Sequence, residues 1–149
     1  SDLALMSIQS VKGVQIGDAY QQADSLGSSA QDEIIGLANG HIDRASNHAG
    51  GIEGGISNGS VLRVSAALKP ISTVPRALRS VDLADGTAAT ALHQRSDTCA
   101  VVPAAVIAQA EVAMVLADAL LEKTGGDSLL EAKRNLAGYL KDVAERTNW

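Results

Sequence analysis

The 149 residues include no phenylalanine, one tryptophan and two tyrosines. Alanine, valine, leucine and isoleucine must therefore fill any core, which suits helices lying close to a sheet. Little is left on which nucleobases could stack, and this weighs against single-stranded nucleic acid. Positive charge is also in deficit, with 12 Lys and Arg against 17 Asp and Glu, so no basic face remains to neutralise a phosphate backbone. The single cysteine, Cys99, excludes an internal disulfide framework and a Cys-rich zinc site, and is compatible with a reducing compartment. No basic segment leads into an apolar one at the start of the chain, so neither a signal nor a transit peptide is expected, and the cytoplasm is the expected location. The longest apolar stretch, residues 100–121, is interrupted by Pro103, Gln109, Glu111 and Asp118. It is expected to form a helix of a soluble protein, with no membrane partner.

At this length the chain suits one domain, residues 1–149, with its own core. Residues 10–16 alternate as a short strand weakened by Gly13, and residues 18–26 suit a helix capped by Asp18 and stopped at Gly27. Asn39 and Gly40 offer a tight turn. Residues 61–68 read as a strand halted at Lys69 and Pro70, and residues 88–93 as a second strand after a turn at Asp85 and Gly86. The last third is helical. From Pro103 to Lys123 the apolar positions Val106, Ala110, Ala113, Met114, Ala117, Leu120 and Leu121 predict a largely buried helix. Gly125 and Gly126 stop it, Ser128 caps the next, and residues 129–146 carry Leu129, Ala132, Leu136, Tyr139, Leu140 and Val143 on one face. Strands followed by two helices predict an α+β fold of antiparallel strands packed with helices.

Three segments invite a chemical reading. Residues 47–59 hold five glycines interleaved with small polar residues. Such a run serves either a backbone that approaches a ligand or a pair of surface turns flanking a hairpin. Lys69, Pro70, Ile71, Ser72 and Thr73 follow a strand and gather an ammonium, two hydroxyls and backbone N–H groups, which suits phosphate or simply a solvated strand end. No P-loop pattern is present, so triphosphate binding is unsupported. Residues 93–99 form a polar heptad before the apolar helix, with Asp97 two residues from Arg95, placed to act as a base or to cap the helix. Cys99, just ahead of that helix, is expected in the core. His41 and His48 match no metal-ligand spacing, and no metal is expected.

Four stretches in this order resemble chorismate synthase, specifically the C-terminal part of its bacterial members. They are residues 7–17, the run Ser46-Asn47 through Gly50-Gly51-Ile52-Glu53-Gly54-Gly55-Ile56-Ser57-Asn58-Gly59, residues 68–73, and Arg95-Ser96-Asp97 with Cys99. The resemblance implies the C-terminal part of that family's β-α-β sandwich and a lyase of the shikimate pathway. The reaction is an anti-1,4 elimination of phosphate from 5-enolpyruvylshikimate 3-phosphate, giving chorismate. Reduced FMN is required without net redox, and NADP is associated with the family. By carry-over Asp97 acts on the flavin N5 proton, and FMN is contacted by Gln9, Ser10, the backbone at Gly54, Lys69, Pro70, Ile71, Ser72, Thr73 and Arg95. A homotetramer is implied. This chain departs from the family at His48, where Arg is usual, and at Ser96, where His is frequent. Members run well over twice this length and carry active-site histidines and arginines in their N-terminal portion. The chain is therefore expected to be a fragment, inactive when isolated.

Overall fold

The computed structural model describes residues 2–38, 41–94 and 98–146. The architecture is α+β: among the described residues four two-stranded antiparallel ladders precede two long helices. Helix α1 (Asp2–Met6) leads into β1 (Val11–Ile16), and β1 pairs with β6 (Val64–Leu68) after a long excursion. The β1–β6 register runs from Val11 opposite Leu68 to Ile16 opposite Val64, with an irregularity between Val11 and Gly13. Gly13 lies in this irregularity, and a Cβ there would lie 3.0 Å from the Tyr20 hydroxyl oxygen. The excursion holds α2 (Ala19–Ala23), α3 (Gly27–Ala30), the pair β2 (Ile34–Ala38) and β3 (His41–Arg44), and the pair β4 (Ile52–Glu53) and β5 (Ile56–Ser57). Ala38 stands opposite His41, and the expected turn at Asn39 and Gly40 lies outside the described residues.

Several boundaries differ from expectation. Asp18 precedes α2 but makes no capping bond with its side chain, because that carboxylate is engaged elsewhere. Gln15 Oε1 accepts from the Tyr20 N–H instead, at 3.3 Å. Gly27 opens α3 rather than closing a longer helix. Strand β6 begins at Val64; just before it the Arg63 N–H turns to the Gly50 carbonyl in the glycine run, while the Arg63 carbonyl accepts from the Gly17 N–H. The ladder after Asp85 and Gly86 contains β8 (Ala88–Thr90) and an unforeseen partner, β7 (Arg79–Val81).

Helix α4 (Val101–Thr124) stops at Gly125, whose φ of 59° lets its N–H reach the Leu121 carbonyl at 2.7 Å. Asn135 Nδ2 donates to the Thr124 carbonyl across that junction. Helix α5 (Leu129–Arg146) starts as expected at Ser128, whose Oγ accepts from the Glu131 N–H at 3.2 Å. Such a cap satisfies a donor that the helix start would leave unpaired.

The expectation that α4 is largely buried is overturned. Among its described residues only Ala104 is buried, with Ala108, Glu111, Val112 and Val115 half-buried on the same side. The stripe of Val106, Met114, Leu120 and Leu121 points away and is 45–64% exposed. Apolar residues occupy every side of α4, so hydrophobicity alone does not declare which side turns inward, and here Ala104 and Ala108 face α1 and, across a cavity, β6. By length and composition alone α4 could cross a membrane, a test that core helices of water-soluble proteins also pass. Among the described residues the buried large or aliphatic ones are Leu5, Val11, Ala104 and Ala132, and an apolar cavity of about 350 Å³ lies between α4 and β6. The accessible surface of 11586 Å² far exceeds the roughly 7,100 Å² of a compact protein of this mass. Much apolar surface is thus left without an intrachain partner.

Candidate functional site

Where β6 ends, the Lys69 N–H donates to the Ser10 carbonyl at 2.6 Å, and Pro70, lacking an N–H, ends the ladder. Ser10 has φ of 69°, the one positive value at a non-glycine residue among those described. That conformation costs on the order of 1–2 kcal/mol for a residue with a Cβ and persists where its surroundings enforce it, often at functional sites. Ser10, Lys69, Pro70, Ile71 and Ser72 line a cleft of about 610 Å³ whose opposite wall is residues 98–101. A neighbouring cleft of about 440 Å³ shares Ser10, Leu68 and Ala100 and adds Gln9, Ser7 and Glu111. Helix α4 begins at this wall, so its first N–H groups, which have no acceptor within the helix, carry partial positive charge there. An ammonium, two hydroxyls and a helix start are a donor set for a phosphorylated ligand.

The glycine run divides in two. All five of its glycines have positive φ, from 58° at Gly54 to 87° at Gly59. Gly54 and Gly55 make the tight turn between β4 and β5, and a Cβ at either would meet nothing within 4 Å. Gly50 and Gly51 are buried, and a Cβ there would run into the Gly17 backbone and the Val61 carbonyl. The first pair therefore serves packing. The second forms a hairpin turn whose backbone stands open; the turn reading thus holds at Gly54 and Gly55, while the packing role of Gly50 and Gly51 matches neither reading.

Behind the first pair lies a polar knot that sequence reading missed. Asp32 accepts from Ser46 Oγ at 2.6 Å, the His48 N–H at 2.7 Å and the Ala49 N–H at 2.9 Å. Burial pushes the Asp32 carboxyl up, but the Ser46 hydroxyl and the two N–H groups outweigh it and hold it below the ordinary value. Asp18 takes His48 Nδ1 on one oxygen and Arg63 Nη2 on the other, each at 2.9 Å. Those two hydrogen bonds, from His48 first and Arg63 second, lower its pKa. Arg63 also donates to the Asn47 carbonyl, and Asn47 Oδ1 accepts from the Gly51 N–H. Asn47 and His48 lie within a motif read from sequence. Asp32 and Arg63 do not, and their partners sit 14 to 45 residues away, beyond any local spacing rule.

Of the expected site residues, Ser10, Lys69, Pro70, Ile71 and Ser72 share one cleft and Gln9 lines its neighbour. Thr73 and Gly54 line neither. Arg95 and Asp97 lie outside the described residues. Cys99 is corrected from core to exposed, standing on the cleft wall: α4 starts beyond it and packs its own alanines inward, leaving the preceding loop uncovered.

The comparisons with known proteins agree with one another. The chorismate synthase family model matches residues 2–121. Chorismate synthase of Beutenbergia cavernae is 59% identical over 142 residues, 95% of this chain and 36% of that protein. The Corynebacterium diphtheriae enzyme of the same name is 61% identical over 143 residues, 96% of this chain and 35% of its own length. A crystal structure of chorismate synthase superposes with a TM-score of 0.73 at 40% identity, covering 95% of this chain and 35% of that one. The chain thus spans about a third of the length of the relatives it matches.

Proposed function

The chain belongs to the chorismate synthase family, and from that premise we propose that it forms one part of an FMN-dependent lyase that converts 5-enolpyruvylshikimate 3-phosphate to chorismate. The observation that carries the reading is the cleft in which Ser10 and residues 69–72 face the start of α4. Its donors fit a flavin phosphate or a phosphorylated substrate: Lys69 as a point charge, the Ser10 and Ser72 hydroxyls, and the α4 N-terminus. Gln9, Ser10, the Gly54 backbone, Lys69, Pro70, Ile71, Ser72, Thr73 and Arg95 are the proposed FMN contacts. When bound, reduced FMN supplies electron density that eases departure of phosphate with no net redox change. Asp97 is the proposed proton-handling residue at the flavin N5. The substrate loses a ring C–H bond and the C–O bond to phosphate, which leaves with its electron pair.

A chain spanning a third of its relatives holds one wall of such a site, and the isolated 149-residue polypeptide is proposed to be inactive. It acts within a longer cytoplasmic protein that assembles as a homotetramer. A second reading, in which this region serves chiefly assembly, is favoured by the exposed apolar stripe of α4.

FMN titration and turnover of the complete gene product and its Asp97→Ala variant test the proposal. Flavin binding is expected to survive while chorismate formation is lost. Unchanged turnover removes Asp97 from the mechanism.

A further inference from the structure

We propose that Arg44 is a positioning residue for the Gly54 hairpin, acting through Glu53; this rests on the reading of Gly54 as a flavin contact. Arg44 closes β3 with its side chain only 11% exposed, and its Nη2 lies 2.9 Å from Glu53 Oε2. The same carboxylate oxygen accepts from Asn58 Nδ2 at 2.7 Å. Glu53 and Asn58 stand on either side of the turn at Gly54 and Gly55. One oxygen therefore gathers both arms of the hairpin at its base and fastens them to β3.

Strands β4 and β5 are two residues each, too short to fix the direction of their own turn. The tie to Arg44 supplies what the ladder lacks. Arg44 Nε and Nη1 are buried and find no partner among the described residues, so among those residues the interaction that offsets burial of this guanidinium is the one to Glu53. A hairpin that swings away removes that acceptor and leaves a buried cation unpaired, the costliest way to break such a pair. The tip is thus held stiffly in one direction relative to the β2–β3 pair.

The test is FMN titration by flavin fluorescence, with thermal midpoints, on the complete gene product carrying Arg44→Met, Glu53→Gln or Lys69→Ala. Both clamp variants are expected to weaken FMN binding about tenfold. Their midpoints should diverge: Glu53→Gln falls because Arg44 stays buried and unpaired, whereas Arg44→Met, which removes the charge and both orphaned donors, holds or rises. A merely structural role would make affinity follow the midpoint in both. Should Arg44→Met fail to fold, Arg44→Lys carries the test with an intermediate loss. Wild-type FMN affinity in the clamp variants alongside weakened binding in Lys69→Ala overturns the clamp alone. Wild-type affinity in all three overturns the flavin-site reading as well.

Discussion

The knot around the first glycine pair and the outer face of α4 are opposites in one chain. In the knot, Asp18, Asp32, Asn47 and Arg63 bond to one another and to the backbone they fold around. Glycines at 17, 50 and 51 let three segments touch where a Cβ would collide. Little there waits for a partner. Helix α4 shows Val102, Val106, Met114 and Leu120 to the outside, each at least 45% exposed. Polar networks close on themselves because hydrogen bonds have fixed partners and directions. Apolar faces are non-directional and remain open until any matching surface arrives.

The largest test of that contrast is to charge the open face. Val106→Asp with Leu120→Asp in the complete gene product should cost several kcal/mol if the stripe is covered there. The expected result is loss of assembly by size exclusion or a midpoint lowered by more than about 10 °C. A wild-type profile would show that the stripe stays in solvent. Next come the two glycine pairs. Gly50→Ala should cost about 2–4 kcal/mol in a urea titration, since it adds both a collision and left-handed strain. Gly55→Ala, strained but unobstructed, should cost about 1 kcal/mol. Equal costs would erase the distinction between a packing glycine and a turn glycine.

Acid should loosen the knot before the helices. The folded pKa values of Asp18 and Asp32 lie below the ordinary carboxylate value. Their stabilisation is therefore complete above the unfolded value of about 3.9 and disappears as pH falls through the lower folded values. Amide resonances of His48 and Ala49 should shift in that window while far-ultraviolet helical signal persists, and Asp32→Asn should flatten the response. A knot unchanged down to pH 2 would remove the two carboxylates from this account. The smallest effect belongs to the α5 surface: Lys141→Ala breaks only an exposed pair at 3.8 Å with Glu145, and the midpoint should move by less than about 2 °C.

What could be read in advance follows the range of the forces involved. The α5 start at Ser128, the α4 stop at Gly125, the β1 end at Ile16 and the halt at Pro70 are local matters of capping, positive φ and a missing N–H. The cleft was legible in part, because Ser10 and residues 69–72 belong to short motifs at the ends of paired strands. Strand β7 was not legible, since Arg79, Ser80 and Val81 are all exposed and leave no burial alternation. Asp18 was misread as a cap, because its true partners, His48 and Arg63, lie 30 and 45 residues further along.

The residues by themselves determined the two long helices and their junction, the extended character of β1 and β6, and which motifs mark the family, because backbone dihedrals and short-range bonding are local properties. Only the tertiary structure decided that Gly50 packs while Gly54 turns, that Asp18 holds a knot, and which face of α4 looks outward. Those outcomes depend on which distant segments meet, and a helix with apolar residues on every side or a run of glycines carries no local mark of its neighbours.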